Sequence, residues 1–293
     1  MLTTRAPAKI NLYLHITGLR QDGYHYLDSL VAFTNIGDTL SLEEQDGFDF
    51  AIVGPMAEEL ASFDPESNLV VRAAHILART LEKPLNLKLT LTKQLPIASG
   101  IGGGSTDAAA ALRLLAAHWR LSLSSPMLRE IAATLGQDVP CCLSAETCYF
   151  RDIGDQTDPG PDLPLTHIVM ANPNIAVPTP SVYKARKGAF SPISRLDVFP
   201  ETPEALAQEL ATRHNDLTEA AISLCPTIRD VIDQIAAQPG CLLSRMSGSG
   251  ATCFGLFADR GDAKSAAAAL MKDHGEWWVV PAFIPTDSNL PLS

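Results

Sequence analysis

The segment Leu95–Asp107, LPIASGIGGGSTD, has four glycines within the five positions 100–104 and continues into the alanine-rich run Ala108–Leu112. Glycine loses more backbone freedom on folding than any other residue and weakens both helices and strands. Positions 100–104 therefore predict a loop. Alanine has the highest helix propensity, so we expect a helix that starts directly after the glycines and continues to about Trp119.

The start of this helix has the properties of a phosphate site. Ser105, Thr106 and Asp107 carry side-chain oxygens suited to capping a helix. Backbone N–H groups of the glycine loop would gather at the positive end of the helix dipole, where phosphate binds favourably. A glycine-rich connector without a ligand is the alternative, and the adjoining helix start favours phosphate binding.

Three familiar phosphate-binding motifs do not fit the spacing. The P-loop requires a lysine after its last glycine, whereas Gly104 is followed by Ser105. The dinucleotide fingerprint Gly-x-Gly-x-x-Gly, counted from Gly100, requires a glycine where Ser105 stands. The signatures of protein kinases are missing as well.

The composition limits the class of protein. A chain of 293 residues, 46% hydrophobic and 19% charged, predicts a well-packed fold of one large or two modest domains. A net charge of -11 argues against a nucleic-acid or anionic membrane partner, although an anionic substrate could still bind in a locally positive pocket. Residues 1–7 lack the apolar core of a signal peptide, and the six cysteines form no CxxC pair. We therefore expect a cytoplasmic protein.

Periodicity along the chain predicts an α+β fold, because strands occur in clusters with helices between them. The Pro-, Gly- and Asp-rich segment 157–164 predicts a domain boundary, which gives domains 1–156 and 157–293. Strands are predicted at 8–16, 29–33, 38–44, 48–53, 85–92, 147–152, 167–171 and 277–283. Besides the helix after the glycines, helices are predicted at 68–81, 126–136, around 183, and at 203–212, 216–224, 226–237 and 263–272.

The first of these strands carries an unusual polar face. Lys9, Asn11, Tyr13 and His15 alternate with apolar residues between Ala8 and Ile16, so they lie on one side of the strand. Lys9 and Asn11 can therefore point into the same cavity.

Four segments together resemble the GHMP family of small-molecule kinases. The glycine segment 96–107 resembles the family's phosphate loop, Pro-x-x-x-Gly-(Leu/Ile)-Gly-Gly-Gly-Ser-Ser-Asp. Segments 6–12 with 22–25 (APAKINL and DGYH), 135–140 (LGQDVP) and 246–252 (MSGSGAT) resemble its other motifs, and all occur in the expected order. The Gly-Tyr-His element resembles the corresponding motif in one branch of the family. That branch phosphorylates 4-diphosphocytidyl-2-C-methyl-D-erythritol in non-mevalonate isoprenoid precursor synthesis.

The resemblance implies a two-domain fold, an activity and ligands. The N-terminal domain, 1–156, would be ribosomal protein S5 domain 2-like and hold ATP and the catalytic groups. The C-terminal domain, 157–293, would be ferredoxin-like and close the substrate cleft. The reaction would convert ATP and the cytidyl substrate to ADP and the 2-phosphate, with Mg²⁺ as cofactor, in a monomer or weak homodimer.

The resemblance also implies roles for individual residues. Asp138 would be the general base with Lys9 beside it, which would stabilise the charged carboxylate, and Ser105 could reach Mg²⁺. A valine at Gly103 would be expected to crowd the phosphates. Substrate would be bound by Asn11, Tyr24, His25, Thr179 and Tyr183, with Tyr183 suited to stacking on a pyrimidine. ATP would be bound by Asn68, Leu69, Lys93, Pro96, Ala98, Gly100, Ile101, Gly102, Gly103, Gly104, Ser105 and Thr106.

Several alternatives remain open from the sequence. Asp138 by itself would be interpreted as a turn residue and Lys9 as part of a solvated strand face; the combination of motifs favours catalysis. Lys9 could also act alone, by lowering the pKa of the substrate hydroxyl. The chain could be a GHMP kinase for mevalonate or homoserine, or a nucleotide-binding module without activity.

Overall fold

The computed structural model describes residues 1–60, 63–154, 156–196 and 198–286. Its strands are β1 (Leu2–Leu19), β2 (His25–Glu44), β3 (Phe48–Val53), β4 (Leu87–Thr92), β5 (Cys148–Arg151), β6 (Gln156–Pro159), β7 (Thr166–Asn172), β8 (Cys241–Met246), β9 (Cys253–Phe257) and β10 (Trp278–Ile284). Its α-helices are α1 (Ala57–Leu60), α2 (Leu69–Thr80), α3 (Gly103–Trp119), α4 (Pro126–Leu135), α5 (Val139–Ser144), α6 (Thr179–Ala185), α7 (Pro203–Ala211), α8 (Thr218–Leu224), α9 (Thr227–Ala236) and α10 (Arg260–Asp273). A 3₁₀ turn covers Pro65–Ser67.

The first sheet is built on a long hairpin. β1 and β2 pair antiparallel, and the sheet continues in the order β3-β4-β2-β5-β6. Gly23, with φ of +89°, lies in the turn between the two long strands, as the Asp-Gly pair predicted. β2 combines the two strands predicted at 29–33 and 38–44. A Cβ on Gly37 would lie 2.2 Å from the carbonyl oxygen of Ala6, so the glycine permits close approach of β1 where a break was expected.

The second sheet has the order β10-β7-β9-β8 and packs with α8, α9 and α10 around its own apolar core. A further core cluster joins the middle of β1 to this sheet: Ile10 and Leu12 pack in the same cluster as Ile168 and Phe254. β1 therefore belongs to the first sheet by hydrogen bonding and also contributes packing to the second.

The segment proposed as a domain boundary contains an additional strand. β6 pairs antiparallel with β5 and extends the first sheet to Pro159, three residues beyond position 156. The proline is compatible with this pairing because β6 lies at the sheet edge.

Helix α3 ends at Trp119 as predicted but begins at Gly103, inside the glycine run that was expected to be a loop, and its start is not capped by a side chain. Gly102 is the N-cap, with φ of +68°, and no side chain accepts a hydrogen bond from the first turn. The hydroxyl of Thr106 instead donates to the carbonyl of Gly103 at 3.0 Å, and Asp107 binds Lys93. The expectation that Ser105, Thr106 or Asp107 caps the helix is therefore wrong: no capping hydrogen bond forms, and the Thr106 hydroxyl and Oδ2 of Asp107 have partners elsewhere.

Within the described residues, no helix has the length and apolar character needed to cross a membrane. The six cysteines are all free thiols, five of them buried. α4 ends at Leu135 and α5 begins at Val139, so the short connection between them presents Asp138 at a helix junction.

Candidate active site

A cleft of about 810 Å³ lies among the glycine loop, the β1–β2 turn, α6 and the second glycine loop, 247–252. Most of the residues assigned to a site from the sequence line it. These are Lys9, Asn11, Tyr24, His25, Leu69, Ala98, Gly100, Gly102, Gly103, Gly104, Ser105, Asp138, Thr179 and Tyr183. Asn68, Lys93 and Pro96 line a second cavity beside it. Ile101 and Thr106 line neither cavity, and their side chains are buried.

An ammonium–carboxylate pair lies in the wall of the cleft. Nζ of Lys9, on β1, is 2.8 Å from Oδ2 of Asp138, and the exposed fractions of the two side chains are 5% and 35%. The carboxylate is therefore the member that a ligand can reach. Phe150 supports the pair from one side, with its ring centroid 5.3 Å from Nζ.

The electrostatics of this pair keep Lys9 charged. Burial by itself would lower the pKa of Lys9, but the Asp138 carboxylate raises it above the ordinary lysine value. At neutral pH Lys9 is thus a positive charge aimed at a carboxylate, an arrangement suited to stabilising negative charge on a reacting oxygen.

Asn11 holds this ammonium in place. Its Oδ1 accepts a hydrogen bond from Lys9 at 3.1 Å, and its Nδ2 donates to the hydroxyl of Ser29 at 2.9 Å. Its backbone N–H donates to Oγ of Ser247 at 3.1 Å. Both ends of the amide already have protein partners, which fixes its orientation. Its predicted contact with substrate stays a prediction.

The glycine loop is braced by the second glycine loop. Ser247 Oγ donates to the carbonyl of Gly100 at 3.0 Å, and the N–H of Thr252 donates to the carbonyl of Ser99 at 3.0 Å. Lys9 N–H donates to the carbonyl of Ile101, also at 3.0 Å. Because these contacts use carbonyl groups of the loop, they fix its path without engaging the N–H groups at the N-terminus of α3, which lies at the cleft.

The second cavity, of about 440 Å³, shares Leu69, Ala98, Gly103 and Gly104 with the cleft. Its remaining lining is largely apolar and includes Phe50, Ile52, Leu60 and Phe63, which suits a planar aromatic group. Asn68 caps α2 here, with its Oδ1 accepting from Val70 N–H at 2.9 Å.

The ammonium of Lys93 is engaged by two buried carboxylates rather than pointing into the cavity. Nζ is 2.5 Å from Oδ2 of Asp38 and 2.7 Å from Oδ2 of Asp107. Burial would lower the pKa of Lys93, and the two carboxylates raise it above the ordinary value. Burial raises the pKa of Asp107 to about 7; Lys93 opposes that shift and the neighbouring Asp38 adds to it. Lys93 therefore stabilises the glycine loop from the interior of the protein.

One part of the cleft is aromatic. The rings of His25 and Tyr183 lie 5.3 Å apart at an angle of 40°. Burial, with a contribution from Asp138, raises the pKa of Tyr183 to about 12. Burial and the charge of Arg186 lower the pKa of His25. A neutral imidazole can both donate and accept hydrogen bonds. This part of the cleft can therefore hydrogen-bond the edge of a heterocycle and stack on its face.

Three residues that contact the predicted site residues were missed by sequence reasoning. Phe150 contacts Lys9, Asp38 holds Lys93, and the hydroxyl of Ser249 hydrogen-bonds that of Thr179 at 2.8 Å. Only Ser249 had a signal, since it lies in the second glycine loop. A strand phenylalanine and a single aspartate have no pattern that distinguishes them from structural residues.

Family models match both halves of the chain. The model of the GHMP kinases N terminal domain matches residues 68–146, and that of the GHMP kinases C terminal region matches residues 199–276. The 4-diphosphocytidyl-2-C-methyl-D-erythritol kinase of Rhodospirillum rubrum is 48% identical, over 93% of this chain and 89% of that protein. The enzyme of the same name from Paramagnetospirillum magneticum is 45% identical, over 94% and 96%.

Solved structures agree with these matches. The crystal structure of a 4-(cytidine 5'-diphospho)-2C-methyl-D-erythritol kinase superposes with a TM-score of 0.79 at 32% identity, covering 97% of this chain and all of that one. Homoserine kinase from Cytophaga hutchinsonii superposes with a TM-score of 0.72 at 16% identity, covering 97% of this chain and 94% of its own. At that identity the second likeness shows a shared fold alone.

Proposed function

The chain belongs to the GHMP kinase family, and from this premise we propose that it phosphorylates the 2-hydroxyl of 4-diphosphocytidyl-2-C-methyl-D-erythritol with ATP. The products are the 2-phosphate and ADP. The relatives that match nearly the whole chain at 45–48% identity carry this activity in their names, which favours it over mevalonate or homoserine as substrate.

The observation that carries the chemistry is the Lys9–Asp138 pair at 2.8 Å, in a cleft that also contains the N-terminus of α3. Phosphoryl transfer depends mainly on positioning and on stabilising charge. An anion-binding helix start next to a carboxylate and an ammonium provides both. A module that only bound nucleotide would not require the pair.

In the proposed reaction, backbone N–H groups of the glycine loop hold the ATP phosphates, and the adenine occupies the apolar second cavity. Asp138 accepts the proton of the 2-hydroxyl while the hydroxyl oxygen bonds to the γ-phosphorus. The bond from that phosphorus to the β–γ bridging oxygen breaks, and ADP leaves. Lys9 stabilises the negative charge on the attacking oxygen and holds Asp138 in position.

The metal in this proposal is Mg²⁺, held chiefly by the phosphates. Among the described residues, no group of three or more His, Cys, Asp and Glu side chains could enclose a metal ion, and Oδ2 of Asp107 is paired with Lys93. Ser105 lines the cleft at the start of α3, and its hydroxyl fits an ion bound mainly by substrate phosphates. When bound, Mg²⁺ neutralises charge on the transferred group.

The cytidine in this proposal binds against the aromatic residues of the cleft. Tyr183 stacks on the pyrimidine, neutral His25 hydrogen-bonds its edge, and Tyr24 and Thr179 complete the wall. Asn11, next to Lys9, lies toward the methylerythritol. In this proposal, one cleft binds both the cytidine and the methylerythritol of the substrate.

A substrate panel tests the proposal. ADP formation is measured with the cytidyl substrate, with 2-C-methyl-D-erythritol 4-phosphate lacking the cytidyl group, with mevalonate and with homoserine. We expect turnover with the first compound and little with the others. Preferential turnover of mevalonate or homoserine would replace the substrate while retaining the family. No ADP formation with any of them would support a binding module instead.

A further inference from the structure

One positive charge in the cleft has no part in the chemistry proposed above. Among the described residues that line the cleft, the lysines are Lys9 and Lys184, and arginine is absent from the lining. Asp138 neutralises Lys9. Lys184 lies on α6 directly after Tyr183, is exposed, and forms no ion pair with any described carboxylate.

The neighbouring arginine does not serve the same purpose. Arg186 donates hydrogen bonds to the carbonyls of Gly188 and Ala189, and its guanidinium lies 5.2 Å from the ring centroid of Phe190. These contacts direct it toward the segment after α6. Lys184 is thus the cation of α6 that is available to a ligand in the cleft.

We propose that Lys184 binds the diphosphate of the nucleotide-linked substrate and so determines its preference for a charged linker. The inference rests on the proposed function, because that substrate carries its diphosphate between the base and the reacting polyol. In the proposed function, Tyr183 and His25 hold the base and Asp138 acts at the reacting polyol, and all three line the cleft with Lys184. A lysine adjacent to Tyr183 in the same wall is placed to meet the charges between them.

The negative net charge of the protein makes the positive charge of Lys184 important for binding an anionic ligand. With a net charge of -11, the protein repels a doubly negative ligand at long range. A local ammonium offsets the repulsion where the diphosphate must lie. Hydrogen bonds in which donor or acceptor is charged are stronger than neutral ones, and a tenfold change in affinity corresponds to about 1.4 kcal/mol. Removing the charge should therefore weaken diphosphate binding about tenfold or more.

The test compares two probes that differ in the diphosphate alone. Calorimetry measures the affinities of CDP and cytidine for the wild-type protein and for Lys184→Gln, Lys184→Arg and Lys187→Gln. Lys187 is an exposed lysine three positions further along that does not line the cleft. We expect the CDP-to-cytidine affinity ratio to fall about tenfold in Lys184→Gln and to be maintained in Lys184→Arg and Lys187→Gln.

Three results would overturn the inference: an unchanged ratio in Lys184→Gln, an equal fall in Lys187→Gln, or equal wild-type affinities for CDP and cytidine. Failure of the proposed function would be seen separately, as a lack of ADP formation by the wild-type protein with the cytidyl substrate. Normal turnover with an unchanged ratio in Lys184→Gln would leave the function standing and remove Lys184 from it.

Discussion

The backbone of Gly103 lies directly against the ammonium of Lys93: a Cβ built on this glycine would be 3.1 Å from Nζ. The next glycine is different, since a Cβ on Gly104 would meet only Cδ1 of Leu69, at 3.7 Å. Both glycines line the two cavities, but a side chain on Gly103 would point toward the buried cluster of Lys93, Asp38 and Asp107, whereas one on Gly104 would not. A valine at Gly103 would therefore meet the Lys93 ammonium first, and the expectation that it also crowds the phosphates stays a prediction.

Valine substitutions at these two glycines should affect different properties, the stability of the fold for Gly103 and the affinity for ATP for Gly104. Gly103→Val should lower the free energy of unfolding by about 1–3 kcal/mol, as overpacking does. Gly104→Val should leave stability nearly unchanged but weaken ATP binding, because the new side chain enters the cavities. Urea unfolding and calorimetry with a non-hydrolysable ATP analogue measure the two quantities. Wild-type nucleotide affinity in Gly104→Val would contradict the placement of ATP.

Asp138→Asn should reduce kcat by about 10²–10⁴-fold, the usual contribution of a general base, and change nucleotide affinity little. Asp158→Asn is the matched control, since Asp158 is also ion-paired, with Arg195 at 2.6 Å, and its side chain is 32% exposed against 35% for Asp138. The control should retain turnover.

Asp138→Asn leaves the buried ammonium of Lys9 without its carboxylate. An unpaired buried charge destabilises a protein. Turnover is therefore compared at a temperature where thermal unfolding shows both variants folded. Near-normal kcat in Asp138→Asn would exclude the carboxylate as base and leave the alternative in which Lys9 acts alone on the hydroxyl.

How much of the structure can be predicted from the sequence depends on how far apart the interacting residues are along the chain. The N-cap at Asn68 and the end of α4 at Gly136 follow from neighbouring residues, and both were correct. The helix at the glycines was also predicted from neighbouring residues, although it begins two residues earlier, at Gly103. The meeting of Lys9 with Asp138 spans 129 positions; only the family resemblance suggested it. Lys93 shows the limit of pattern reasoning, since its carboxylate partners come from distant parts of the chain.

Tyr183 should be required for affinity rather than for the chemical step. Stacking of a base on an aromatic ring contributes about 1–3 kcal/mol, so Tyr183→Leu should raise KM for the cytidyl substrate about tenfold while kcat and KM for ATP change little. Tyr183→Phe keeps the ring and is the control. Equal KM values in the leucine and phenylalanine variants would mean that the pyrimidine does not stack there.

The stability of the protein should depend on pH through Asp107. Its pKa of about 7 in the folded protein lies well above the usual aspartate value of about 3.9. Between about pH 4 and 7 the folded protein therefore holds a proton that the unfolded chain releases. Stability from this group is fully present below pH 4 and is lost as the pH rises to about 7, with a slope of at most about 1.4 kcal/mol per pH unit.

Asp107→Asn removes the titrating group and keeps its shape and an oxygen for Lys93. The wild-type unfolding free energy minus that of Asp107→Asn should decline between about pH 4 and 7 and level off above. Asp230→Asn, on the exposed side of α9, should show no such decline. Parallel wild-type and Asp107→Asn curves would mean that Asp107 is ionised throughout this range, because a group that keeps one charge state in both forms adds no slope. The cluster beneath the glycine loop would then carry a net negative charge where the phosphates are proposed to bind.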